Sequence, residues 1–121
     1  MHVTIKTTGA VLLTDELRSF VEEKVNKLEK LFGPSDTTVL AEVELEALAK
    51  ARAGNEFRAE INLTFAGGMA RAEASRQTMH AAIDEAVAEA KREVLHARTK
   101  HKNLVRRGAA RVKDFFRRFE R

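Results

Sequence analysis

The feature that most constrains the fold is a strict alternation of apolar and polar residues in the middle of the chain. From Phe57 to Phe65 every second side chain is apolar, and most of those between are charged or amide residues. Successive side chains of a β-strand point to opposite faces, so this segment predicts a strand with one buried and one wet face. A sheet made of such strands has an apolar face that other elements must cover.

Three further segments alternate in the same way. Residues 38–47 carry apolar side chains at every second position from Val39 to Ala47, and residues 69–75 do so through Ala70, Ala72 and Ala74. Gly67-Gly68 suits a tight hairpin turn between the last two strands, and residues 50–55 look like an exposed connection. The segments 38–47, 57–65 and 69–75 are predicted to form three consecutive antiparallel strands. A shorter alternation over residues 2–7, bounded by Gly9, predicts a first strand.

Helical spacing replaces alternation in two places. Thr14 is a predicted N-cap, followed by Asp15 and Glu16 in a first turn and by apolar residues at helical intervals up to Phe32. Gly33-Pro34 is the expected stop. A second helix is predicted from about Thr78. Its apolar face consists of Met79, Ile83, Ala86, Val87, Ala90, Val94 and Ala97, and the pattern extends to Leu104 and Val105.

The element order is therefore βαβββα, an α+β fold in which two helices pack on one face of a four-stranded sheet. Residues 1–107 are predicted to form one domain. Residues 108–121 fall outside the pattern and form a basic C-terminal tail. In this tail one face of a short helix would carry Val112, Phe115, Phe116 and Phe119. Such a face is compatible with packing on the core, stacking on bases, a protein partner or an anionic membrane.

Charge is distributed unevenly along the chain. Residues 1–90 hold ten Lys and Arg against fifteen Asp and Glu, whereas residues 91–121 hold twelve against three. A segment so rich in one charge either stays solvated or meets a polyanion, and nucleic acid is the commonest one in cells. The absence of cysteine excludes disulfides and thiolate metal sites, and neither a signal peptide nor a membrane span is expected. The expected location is the cytoplasm.

Basic residues recur on both predicted helices. On a helical wheel Lys91, Arg98 and Lys102 lie within about 40° of one another, beside the apolar stripe. On the first helix Lys24, Lys27 and Lys30 step along one flank and would face this ridge across a shallow groove. Two basic edges around a groove suit a phosphate backbone. The alternative is that these are ordinary solvated lysines, which for the first helix alone is the simpler interpretation.

Catalysis and metal binding find little support. His2, His80, His96 and His101 lie in no recognised ligand motif. Glutamates on the predicted second and third strands are adequately explained by the solubility of an exposed sheet face. The chain has neither a phosphate-cradling glycine loop nor a nucleophile elbow. We therefore expect a protein that is not an enzyme, with no cofactor, metal or small-molecule substrate.

Two motifs resemble the ribosome hibernation factors, the family that contains hibernation-promoting factor and protein Y. The run from Glu22 to Phe32, EEKVNKLEKLF, is similar to the family's helix-one motif, and Met79 to Asp84, MHAAID, is similar to its helix-two start. The resemblance covers roughly residues 2–107. His80 stands where the family usually has tyrosine, and residues 106–114 resemble the start of the protein Y tail, although the continuation here is basic and aromatic rather than acidic.

The resemblance implies a protein that binds the small ribosomal subunit, and the 70S ribosome, near the decoding centre and blocks the sites of messenger and transfer RNA. No membrane partner is implied. The chain lacks the separate C-terminal dimerisation domain of the long family members, so self-driven pairing of ribosomes is not expected. The free protein is expected to be monomeric. The implied RNA-binding residues are Lys24, Lys27, Lys30, Lys91, Arg92, Arg98, Lys100, Lys102, Arg106 and Arg107.

Two other functions remain open at this stage. One is a general binder of structured or double-stranded RNA, because a basic ridge supplies affinity with little sequence specificity. The other is a protein-interaction module that uses the Phe-containing tail. An enzyme would require a clustered acid-base pair, which the sequence does not contain.

Overall fold

The chain folds into one four-stranded sheet with both helices on the same side. In a computed structural model, residues 1–33, 38–48 and 56–119 are described, with residues 100–119 described for the backbone alone. The elements are β1 (His2–Thr8), α1 (Asp15–Asn26), a 3-10 segment (Lys27–Leu31), β2 (Leu40–Ala47), β3 (Phe57–Phe65), β4 (Gly68–Arg76) and α2 (Met79–Phe119). The α+β class and the βαβββα order predicted from the sequence are confirmed.

The strands lie in the order β1-β2-β3-β4. β1 is parallel to β2, with Ile5 opposite Val43, while β2, β3 and β4 form the antiparallel meander that was predicted. Parallel neighbours need a long crossover, and α1 with the 3-10 segment provides it. The first helix is thereby fixed on the face that α2 also covers. The predicted connection at residues 50–55 lies outside the described residues.

One hydrophobic core lies between the sheet and the helices. The sheet contributes alternate side chains, and Ile61 and Leu63 of the central strand β3 are almost completely buried. Val21 and Val25 of α1 and Ile83 and Val94 of α2 are likewise inaccessible to solvent or nearly so; these are the anchors that hold both helices on the sheet. The predicted apolar faces of both helices therefore point to the core.

The first helix begins as predicted but changes geometry before its end. The Thr14 hydroxyl accepts a hydrogen bond from the Leu17 N–H at 3.1 Å, which confirms the N-cap. The α-helix then stops at Asn26, and a 3-10 segment replaces the continuous helix expected to Phe32. Leu28 is buried and Leu31 partly buried, and their spacing of three matches the three residues per turn of a 3-10 helix. Pro34 lies outside the described residues.

The second helix is longer than its apolar pattern predicts. Its backbone is helical from Met79 to Phe119, which is 41 residues and about 60 Å at 1.5 Å per residue. The helix thus continues past Leu104, Val105 and Gly108, where the sequence pattern was expected to end. A single interior glycine costs only about 1 kcal/mol, and the flanking Ala and Arg residues favour helix. The functional division at residue 107 stays a prediction, and the side chains of the tail phenylalanines lie outside the described part of the chain.

Two turns depend on glycine. The hairpin between β3 and β4 turns through Ala66 and Gly67, and Gly68 already pairs with Phe65, so the expected Gly67-Gly68 turn is shifted by one residue. Gly68 has φ +139°, a conformation that L side chains rarely adopt. Gly9, after β1, has φ +75°, and a Cβ atom there would lie 2.9 Å from the Ala47 carbonyl oxygen. Glycine at position 9 lets the chain leave the sheet against the end of β2.

The outer face of the sheet is held by a network of ion pairs. Arg58 contacts Glu60 at 2.8 Å and Glu73 at 2.6 Å, and Arg71 contacts Glu60 at 2.7 Å. Glu60 is the only charged residue classed as buried in the described part of the chain. Burial opposes the charge on Glu60, but hydrogen bonds from Arg58 and Asn62 outweigh this effect and keep the pKa of Glu60 below its usual value.

The core predicts that replacing leucine by alanine changes the free energy of unfolding very differently at a buried and at an exposed position. Leu63→Ala should lower the free energy of unfolding by about 3 kcal/mol, because Leu63 is fully buried and truncation leaves a cavity. Leu12→Ala is the matched control, since Leu12 is 78% exposed, and should change it by less than about 0.5 kcal/mol. Urea denaturation measures both. Equal effects would show that β3 does not lie at the centre of the core.

The Glu60 network predicts a defined acid sensitivity. Because the folded-state pKa of Glu60 is lowered, its ionised form contributes stability that is complete above the unfolded-state pKa, about 4.3, and is lost as pH falls through the lower folded-state value. Glu60→Gln should therefore reduce stability at pH 7 and weaken its decline below about pH 4. Glu42→Gln, on the same sheet face, is the control. Parallel pH profiles for wild type and Glu60→Gln in urea denaturation would contradict the assignment.

Candidate nucleic-acid interface

The two helices meet along a groove on the solvent side of the helical layer. Phe20 contacts His80, with ring centroids 4.3 Å apart, and Lys24 Nζ lies 3.5 Å from the Asp84 carboxylate. Farther along, the Arg98 guanidinium lies 6.0 Å from the ring centroid of Phe32. Residue numbers rise together along these three contacts, so α1 with the 3-10 segment runs parallel to α2. We call this furrow, from Phe20 and His80 to Phe32 and Arg98, the helix groove.

On the α1 side of the helix groove, the predicted lysines are Lys24 of α1 and Lys27 and Lys30 of the 3-10 segment. Lys27 and Lys30 are exposed, and neither forms an ion pair with another described residue. Lys24 differs, because its side chain is only 28% exposed and is held between the Asp84 carboxylate and the Phe20 ring, whose centroid is 5.5 Å away. Two of the three predicted lysines on this side are therefore free for a ligand, while the third is tied to α2.

The α2 side contributes Lys91 and Arg98. They lie seven residues apart, two turns of helix, and on the stripe that begins with Asp84. Both are exposed, and neither is paired with a described carboxylate. Arg92 points to Glu89, with 3.1 Å between Arg92 Nε and Glu89 Oε2, and this hydrogen bond raises the pKa of Arg92. Arg92 is charged in any case, so the consequence is local neutralisation of its charge.

The remaining predicted cations cannot be assigned to this groove. Lys100, Lys102, Arg106 and Arg107 belong to the helical backbone of α2, but their side chains lie outside the described residues. Among the described residues, Lys27 and Lys30 of the 3-10 segment and Lys91 and Arg98 of α2 are thus exposed cations without an ion-pair partner. Lys24 and Arg92 lie beside them with their charges compensated by Asp84 and Glu89.

The opposite face of the sheet has the opposite charge. Among the described residues it carries three basic side chains, Lys6, Arg58 and Arg71, against five acidic ones, Glu42, Glu44, Glu46, Glu60 and Glu73. The Glu44, Glu60 and Glu73 positions are adjacent across three strands. A phosphate backbone is therefore attracted to the helix groove and repelled by the sheet face.

Sequence reasoning missed three contacts across the groove, those of Phe20 with His80, Lys24 with Asp84 and Phe32 with Arg98. The pairs Phe20 with Lys24 and His80 with Asp84 each have a spacing of four, which places an aromatic ring and a charge on one face of each helix. That repeated spacing was a usable signal. The contact between Phe32 and Arg98 had no such signal, because it depends on how far the 3-10 segment advances along α2.

Metal and membrane sites have no structural counterpart in the described chain. Among the side chains that the structure describes, no three His, Asp or Glu residues converge as ligands for a metal ion. Within the described residues no helix has both the length and the apolar character needed to span a bilayer. The chemistry that the groove offers is cationic and aromatic.

Comparison with known proteins gives the family. The family model described as "Sigma 54 modulation protein / S30EA ribosomal protein" matches residues 4–102. The N-terminal domain of protein Y from Thermus thermophilus is similar in structure, with a TM-score of 0.65 and 30% sequence identity over 78% of this chain and 96% of that domain. A ribosomal subunit interface protein from Coxiella burnetii shares the fold, with a TM-score of 0.64 and 15% identity over 82% of this chain and 99% of that one. No curated protein matches the chain.

The family match covers most of the chain and includes both helices of the groove, and it coincides with the motifs from Glu22 to Phe32 and from Met79 to Asp84. The resemblance drawn from the sequence is thereby confirmed. The chain belongs to the Sigma 54 modulation protein / S30EA ribosomal protein family, the family of the hibernation factors.

Proposed function

We propose that this protein is a ribosome hibernation factor of the cytoplasm that binds the small ribosomal subunit near the decoding centre. Bound there, it inhibits translation by occupying the sites of messenger and transfer RNA. The observation that carries the proposal is the cluster of unpaired cations on the helix groove, Lys27, Lys30, Lys91 and Arg98, opposite an acidic sheet face. Family membership and the likeness to the protein Y domain support the ribosome as partner.

The groove acts through phosphate contacts. Each Lys or Arg that neutralises a phosphate releases a condensed counterion, so binding weakens as salt rises. With four unpaired cations, the slope of log K against log salt should be about −3 to −4. Such contacts carry no sequence information, so the shape of the folded ribosomal RNA must determine where the protein binds.

Inhibition follows from occupancy alone. The proposal needs no chemical step in the groove, where the described charged contacts are the Lys24–Asp84 ion pair and the Arg98–Phe32 contact. A rigid body packed into the decoding region excludes other ligands as long as it stays bound. We propose Lys100, Lys102, Arg106 and Arg107 as additional contacts from the continuing helix, with the tail as a second site.

The ribosome proposal predicts saturable, competitive binding. Purified protein should co-sediment with small subunits and whole ribosomes at close to one copy each, and excess transfer RNA should weaken this because the two compete for space. Sedimentation in sucrose at two salt concentrations measures it. An affinity for free duplex RNA equal to that for ribosomes would favour a general RNA binder instead. Binding lost only when residues 109–121 are deleted would favour a tail-mediated protein-interaction module.

The same assay tests the groove residues. Combined Lys30→Gln, Lys91→Gln and Arg98→Gln should weaken binding at least tenfold and flatten the salt slope by about 2 to 3, since three phosphate contacts are lost. Lys6→Gln on the acidic sheet face is the matched control and should bind as wild type. Arg92→Gln should cost less than Lys91→Gln, because Glu89 already compensates Arg92. A control variant that weakens binding as much as the groove variant would place the interface elsewhere.

A further inference from the structure

The upstream end of the helix groove differs chemically from the rest. It consists of Phe20 and Lys24 of α1 and His80 and Asp84 of α2, which we call the upstream cluster. His80 and Asp84 are exposed, and Lys24 is partly so. The cluster combines two aromatic rings, one cation and one carboxylate, whereas the downstream end has one ring, Phe32, beside the unpaired Arg98 cation.

Asp84 does not fit a simple phosphate track. Its carboxylate is 54% exposed and would repel a phosphate placed beside it. Its ion pair with Lys24, at 3.5 Å, is partly solvated, and such pairs add little to stability. Neither phosphate binding nor folding therefore accounts for a carboxylate at this position. A carboxylate accepts hydrogen bonds, so the matching ligand group is a donor.

Lys24 and Asp84 present a donor beside an acceptor. Lys24 Nζ is restrained by the Asp84 carboxylate and by the Phe20 ring, so the two groups lie side by side across the groove in a fixed order. The Watson–Crick edge of guanine has the complementary order, with the O6 acceptor next to the N1–H and N2–H donors. Adenine reverses the order of its donor and acceptor, and inosine lacks the N2 amino group.

The aromatic residues supply the second element of base recognition. The Phe20 and His80 rings meet edge to face, with centroids 4.3 Å apart and planes inclined by 65°. The half-buried Phe20 supports the exposed imidazole of His80. Unpaired bases of RNA stack on aromatic side chains of this kind, including histidine. Base stacking and edge recognition are thus both available at the upstream cluster.

We propose that the upstream cluster binds one unpaired guanine of the RNA partner. Asp84 accepts hydrogen bonds from guanine N1–H and N2–H, Lys24 donates to O6, and His80 stacks on the base with support from Phe20. The downstream cations hold the adjoining phosphates. This inference rests on the proposed function in that the partner is RNA, and it assigns a base-reading role to residues that do not act as free phosphate-binding charges.

Five-nucleotide RNAs test this directly. AAGAA, AAIAA with inosine, and AAAAA carry the same charge and differ only at the central base. Wild-type protein should bind AAGAA about tenfold more tightly than AAAAA, with AAIAA between them, when measured by fluorescence anisotropy at low salt. Asp84→Asn should reduce the preference for guanine to twofold or less. Thermal unfolding of each variant checks that it is folded.

Two variants complete the design. Lys91→Gln should weaken all three RNAs equally and keep the guanine preference, whereas His80→Ala should weaken AAGAA through lost stacking. Wild-type binding without base preference would overturn the inference, and so would an Asp84→Asn variant that binds all three RNAs more tightly by the same factor. Co-sedimentation with ribosomes distinguishes a failure of this inference from a failure of the proposed function. Binding to ribosomes without base preference leaves the proposed function intact, whereas loss of both refutes both.

Discussion

The burial of one sheet face under two helices is the constraint on which the rest of this structure depends. Val21 and Val25 anchor α1, and Ile83 and Val94 anchor α2, so both helices are fixed on the same core. Because β1 is parallel to β2, a crossover connects them, and α1 carries it over the face that α2 also covers. The helices then lie side by side and parallel, and the helix groove is the outer side of that contact. Core packing thereby fixes the spacing of the basic residues.

The helix groove and the outer sheet face carry opposite charges, which determine the face that a polyanion approaches. The sheet face is acidic, and its glutamates are held in place by Arg58 and Arg71. The groove exposes lysines and Arg98 without described acidic partners. A body with opposite charges on opposite faces is oriented by the field of a polyanion before contact, which raises the rate of productive encounters. In the proposed complex, the acidic sheet would thus favour binding without touching RNA.

Much of the fold was predictable because most local signals agree with the tertiary structure. Strand alternation from Phe57 to Phe65, the Thr14 cap and the apolar stripe of α2 all correspond to observed elements. The departures lie at points where an element was expected to end or turn. The helix after Asn26 tightens into a 3-10 segment, the hairpin turns one residue earlier than expected, and α2 continues through Gly108.

The site was predictable in its charges but not in its pairing. Helical spacing predicts that Lys27, Lys30, Lys91 and Arg98 are exposed, because exposed positions follow from the apolar stripe, and all four are exposed in the structure. Their role in RNA binding stays a prediction. The compensation of Lys24 was not predictable from its own helix, since Asp84 is distant in sequence and approaches only when both helices pack. Arg92 and Glu89 are three apart on one helix, so their spacing alone predicts the ion pair that the structure contains.

The orientation of the protein on the ribosome tests the central claim most directly. A cryo-electron microscopy structure of the protein bound to the small subunit would show which face meets ribosomal RNA. We predict that Lys27, Lys30, Lys91 and Arg98 lie against RNA phosphates near the decoding centre, with the acidic sheet face turned away. Contact through the sheet face, or through the C-terminal tail alone with the groove open to solvent, would contradict this account.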